Sequence, residues 1–63
     1  MSTLCKVQVD RLQAGDRIVL NHKTYKVRYM EKDPHGYDVY LDSLDGTNVY
    51  TFIADEEKVI IEL

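Results

Sequence analysis

The sequence predicts an all-β fold, a small barrel of five or six short antiparallel strands, on three observations. Arg17–Leu20 and Tyr25–Tyr29 lie so close in the chain that they must pair as a hairpin, because a parallel crossover needs about a dozen residues or more. Apolar and polar residues alternate with period two along most of the chain. Turn-forming clusters recur about every eight to twelve residues, as in small barrels and sandwiches.

Cys5, Val7 and Val9 alternate with Lys6, Gln8 and Asp10, so the first strand has one dry face, on which Cys5 is a small core residue. Leu12 folds inward before the Ala14-Gly15-Asp16 turn. Ile18 and Leu20 then face one way, Arg17 and Val19 the other. After a polar turn at Asn21–Lys23, Tyr25, Val27 and Tyr29 point inward, while Lys26, Arg28 and Met30 point out. Lys32–Gly36 reads as a loop, with Pro34 fixing φ and Gly36 free to adopt a left-handed conformation. Tyr37, Val39 and Leu41 share the inner face of the next strand. Asp45-Gly46 is the strongest hairpin signal in the chain. Beyond it, Val49/Thr51/Ile53 and Tyr50/Phe52/Ala54 are both plausible inner faces, since one residue of loop length exchanges them. Ala54–Glu57 reads as one helical turn capped by Asp55. Val59–Leu63 is a last strand that either closes the barrel against Cys5–Val9 or stands as an edge open to a second copy; closure uses its apolar residues better.

Sixty-three residues make a single domain, 1–63, that buries only about 60% of its unfolded surface. Hydrophobic residues form 44% of it, and five tyrosines with Phe52 suit a thin core. With one cysteine there is no internal disulfide, which fits a reducing cytoplasmic setting. No apolar run is long enough to span a membrane.

Net charge is −3, unevenly spread. Residues 1–35 hold seven Lys/Arg against four Asp/Glu, net +3, and residues 36–63 one against seven, net −6. A hairpin folded about Lys32–Gly36 places Tyr29 opposite Val39 and Val27 opposite Leu41 inside. Outside, it sets Lys26 opposite Asp42, Arg28 opposite Tyr40 and Met30 opposite Asp38. Opposite charges then meet across strands and neutralise each other; two separate charged poles are the alternative.

The run DRLQAGDRIVLNHKTYKV, the Pro-His-Gly tip and LDSLDGTNVYTF together resemble the N-terminal SH3-like (KOW-type) barrel of the translation elongation factor P family, over roughly Val9 to Ala54. The resemblance implies an SH3-like barrel. In that family the tip between the third and fourth strands carries a glycine-flanked, modified lysine. His35 stands there in this chain, with Lys32 nearby but lacking the glycines, so the family's activity is not implied.

Lys23, Lys26, Arg28 and Lys32 interleave with Tyr25, Tyr29, Tyr37 and Tyr40, the one basic-aromatic constellation of the chain. Cations that hold phosphates beside tyrosines that stack on bases make a single-strand nucleic-acid binder. The overall acidity, and pairing of these cations with Asp38 and Asp42, favour a protein partner instead. The acidic end formed by Asp42, Asp45, Asp55, Glu56, Glu57 and Glu62 reads as solvated surface. Asp33, His35 and Asp38 lack a fourth ligand and read as a solvated turn, so neither a metal nor a cofactor is expected. No nucleophile elbow, phosphate loop or activated cysteine is present, and no enzyme is expected.

The sequence therefore predicts a non-enzymatic binding module. Its docking residues are Lys23, Lys26, Arg28, Lys32, His35 and Tyr40, and its partner is a protein or, as the alternative, RNA or DNA. A third reading is a self-assembling structural or accessory protein, of viral or mobile-element origin, pairing through the C-terminal strand. No small-molecule substrate is expected.

Overall fold

The computed structural model describes residues 3–63. Six antiparallel strands form one sheet: β1 (Leu4–Gln8), β2 (Arg17–Leu20), β3 (Lys23–Asp33), β4 (Gly36–Ser43), β5 (Asn48–Ala54) and β6 (Lys58–Glu62). Their order is β1-β6-β2-β3-β4-β5. One face buries Ile18, Val27, Val39, Leu41, Ile53 and Val59 in a single cluster, so the sheet curls around them. Val9 and Leu12, from the 3-10 turn Val9–Arg11 and the residue after it, join that cluster and plug its base. The sequence did not signal this turn.

The all-β expectation holds, but the sheet is not closed. The last strand pairs with the first as expected, Leu4 opposite Glu62 through Gln8 opposite Lys58. No ladder joins β1 to β5 among the described residues, so these two are the edges. Because the chain leaves β1 into the 3-10 turn, Val9 and Leu12 exclude water where closure would otherwise have to. β6 lies between β1 and β2 with both edges in use, which leaves no free edge at the C-terminal strand. Cys5 is exposed rather than a core residue, because only the lower end of β1 reaches the cluster.

The turns follow local chemistry. Asn21 and His22 both have positive φ (50° and 67°), the requirement of a mirror-image two-residue hairpin turn. Gly15 has φ +97°, and its N–H bonds the Val27 carbonyl at 2.9 Å while Asp16 accepts from Val27 N–H at 2.8 Å. Leu44-Asp45-Gly46 makes a three-residue loop with Gly46 left-handed, closed by Ser43 N–H to Thr47 O at 2.8 Å. The Asp45 carboxylate accepts from Thr47 N–H at 2.9 Å, and this bond holds its pKa down to about 2. That loop length settles the inner face of β5: Val49, Thr51 and Ile53 lie opposite Leu41, Val39 and Tyr37. Ala54–Glu57 is a tight turn and not a helical one, with Glu57 N–H bonding Ala54 O.

β3 departs most from expectation. Val27 opposes Leu41 and Lys26 opposes Asp42 as predicted, but a β-bulge at Arg28 adds one residue to β3. Beyond it Tyr29 opposes Tyr40 and Met30 opposes Val39. Tyr29 is therefore outside and Met30 packs against the core, the reverse of strict alternation. The extra residue also carries the ladder to Asp33 opposite Gly36, so the loop shrinks to Pro34-His35. Gly36 is not left-handed. A Cβ there would lie 2.3 Å from Ile53 O and 2.8 Å from the Phe52 ring, so close approach of β5 demands the glycine.

Candidate functional site

The bulge assembles a feature that alternation alone does not predict. Tyr29 stacks on Tyr40 with centroids 4.4 Å apart and rings 13° from parallel, and Tyr40 meets Tyr50 at 5.1 Å, tilted by 53°. Tyr29, Tyr40 and Tyr50 are cross-strand partners on β3, β4 and β5, so the row is a ladder on the outer face of the sheet. Tyr29 and Tyr50 are about half exposed (48% and 57%). One step along, Glu31, Asp38 and Phe52 form the adjacent row on the same face.

Electrostatics set these two rows apart from the rest of the surface. Glu31 and Asp38 oppose each other directly, a like-charge pair that costs stability. The Tyr50 hydroxyl donates to Asp38 Oδ1 at 2.9 Å. Ion pairs among the described residues go elsewhere, Arg28 to Asp42 at 3.6 Å and Lys32 to Asp55 at 2.9 Å. Burial within the ladder, followed by the Glu31 charge, pushes the Tyr40 phenol up to about 12. The bond to Asp38 raises Tyr50 as well. Both rows thus hold aromatic surface and negative charge without a counter-ion.

The predicted site residues do not converge. Tyr40 is the centre of the ladder. Lys26 lies on the same face opposite Asp42, which also takes the Arg28 guanidinium. Lys32 is directed to the other face, 4.8 Å above the Tyr37 ring, and its ammonium ties Asp55 and the Gly36 carbonyl. The Asp55 carboxylate raises the Lys32 pKa and locks the β3–β4 hairpin to the β5–β6 turn. His35 is exposed at the hairpin tip, its N–H on Asp33 Oδ1 at 3.4 Å. Lys23 lines a cleft of about 390 Å³ with His22, Thr24, Ser43, Leu44 and Asp45. Among the described residues no three His, Cys, Asp or Glu are grouped to hold a metal ion. Among the described residues no helix is long and apolar enough to cross a membrane.

Tyr29, Tyr50, Phe52 and Glu31 are the outer-face residues that sequence reasoning missed; alternation places Asp38 outside but opposite Met30 and paired with the cations, whereas it faces Glu31. For the three aromatics the signal was an excess of such residues over what a core of eight aliphatic side chains can take. No protein-family model, curated protein or solved structure matches the chain.

Proposed function

We propose that the protein is a non-enzymatic docking module whose outer β3–β4–β5 face receives a basic segment of a protein partner. The observation that carries this reading is the Glu31–Asp38 pair, set without a cation beside the Tyr29–Tyr40–Tyr50 ladder. An arginine or lysine laid there would lie over ring faces and relieve a like-charge contact at once. Tyrosine and arginine are also the residue types most enriched at protein interfaces. The same carboxylates repel phosphates, so nucleic-acid binding of the KOW type is the competing reading.

A titration of ¹⁵N-labelled protein with an Arg-Gly repeat peptide, and separately with mixed single-stranded RNA, decides between them. Expected are peptide-induced shifts at Tyr29, Glu31, Asp38, Tyr40 and Tyr50, reduced about tenfold in affinity by Tyr40→Ala or by Glu31→Gln with Asp38→Asn. Salt-sensitive RNA shifts at Lys23, Lys26 and Arg28, with a silent peptide arm, would replace this reading by the nucleic-acid one.

A further inference from the structure

The two edges of the sheet are unequal: β1 carries Lys6 at its middle, whereas β5 carries no charge. β5 pairs with β4 over seven consecutive residues without a bulge. Its sequence, Asn-Val-Tyr-Thr-Phe-Ile-Ala, holds no charge and no proline. Charges, prolines and bulges are the devices by which natural edges refuse an added strand. Asp55 N–H bonds His35 O and Ser43 N–H bonds Thr47 O across this hairpin. The antiparallel alternation then turns the main chain of Val49, Thr51 and Ile53 toward β4, and that of Asn48, Tyr50 and Phe52 toward the free edge. At the far end Glu57 Oε1 accepts from Ala54 N–H at 3.1 Å and covers that donor.

We infer that β5 pairs antiparallel with β5 of a second copy, about a two-fold axis at Thr51. From Val49 to Ile53 the strand is a chemical palindrome around that residue: aromatics Tyr50 and Phe52 flank it, then β-branched Val49 and Ile53. With Thr51 facing its own counterpart, Tyr50 of each copy exchanges both main-chain hydrogen bonds with the second copy's Phe52. These are the residues whose groups face the free edge. Tyr50 and Phe52 side chains then pair on the outer face, and Val49 with Ile53 on the inner one. A symmetric pair sets like against like, and an uncharged strand does so without repulsion. The ladder of one copy also runs into the Phe52–Asp38–Glu31 row of the other, so the aromatic face becomes continuous across six strands, β3–β4–β5 of each copy.

One short edge per copy is a small interface, below the roughly 1,200 Å² of stable complexes, so exchange with monomer is expected. Sedimentation equilibrium from about 10 μM to about 1 mM should show the mass rising from one chain toward two. A single-chain mass throughout would overturn the inference. Mixed labelled and unlabelled protein should give an intermolecular Hα–Hα contact from Thr51 to Thr51; its absence in a dimeric sample would remove β5 as the interface. Chemically synthesised protein N-methylated at Tyr50 loses only an outward donor, so its fold should persist while it sediments as monomer. If it dimerises as strongly as the parent, the strand pairing is wrong. None of these readouts involves the basic peptide, so they stand or fall apart from the docking function.

Discussion

The two halves of this sheet share one core and present different outer surfaces. On the β1–β6–β2 side the strands are four or five residues long. Its outer rows run Lys6–Ile60–Val19–Thr24 and Leu4–Glu62–Arg17–Lys26, mixing aliphatic groups with charges of both signs. On the β3–β4–β5 side the strands have eleven, eight and seven residues and carry the tyrosine ladder beside Glu31 and Asp38, which form no ion pair among the described residues. The contrast teaches that the short half completes the core under an ordinary solvated surface. The long half displays the distinctive face on the reverse of the core residues Val27, Val39 and Leu41.

The largest effect should fall on both halves at once. Leu41→Ala empties a fully buried position that the whole cluster surrounds. A loss of about 2–5 kcal/mol is comparable to the total stability of so small a domain. Circular dichroism should find the variant largely unfolded. Gly36→Ala strikes the long half alone, forcing β5 away from the hairpin tip, and should cost about 1–3 kcal/mol in denaturant melts. Next comes deletion of Arg28. Without the bulge, Val27, Tyr29 and Met30 still alternate in, out, in, so the ladder should survive with only the Asp42 pair lost. Preserved ring-current shifts of Tyr29 and Tyr40 would show it, and their disappearance would mean that the bulge itself shapes the face.

The difference between the halves also has a pH signature. Tyr40 and Tyr50 titrate above their ordinary value in the fold, so the stability they contribute is full below about pH 10 and is lost as pH rises through their folded values, about 12 for Tyr40. Absorbance at tyrosinate wavelengths should show these two ionising late, with the β3–β4–β5 amides broadening first. Asp45 has the opposite sense, its contribution being complete above about pH 4 and lost as pH falls toward about 2; Asp45→Asn should remove that acid limb. The smallest effect belongs to the short half, where Lys6→Gln should stay within about 0.5 kcal/mol.

Much of the fold was legible because turn chemistry is local. Asp45-Gly46, Asn21-His22 and the Ala-Gly-Asp turn each announced a reversal, and alternation then placed Ile18, Val27, Val39 and Leu41 inside. The docking face was not legible, because one inserted residue shifts the phase of β3 between Val27 and Tyr29. A bulge leaves no compositional mark, and strict alternation sent Tyr29 inward and Met30 outward. Lys32 was misread for a related reason. The same shift lengthens β3 to Asp33 and directs its ammonium to Asp55, a partner 23 positions away that periodicity does not reveal. Closure of the barrel failed at Val9–Arg11, where three residues chose a 3-10 turn that no capping side chain signals.

The Leu63 N–H bonds the Thr3 carbonyl at 2.8 Å, so the chain enters and leaves the sheet at one corner. A path that returns to its own beginning can be cut and rejoined without redrawing the fold. A short glycine linker across that corner, with new ends opened at the exposed Leu44–Gly46 tip, should yield a permuted protein of unchanged architecture. Spliced by the same corner into a surface loop of a host protein, the sheet would hang from two adjacent attachment points and turn its tyrosine face outward as an inserted module.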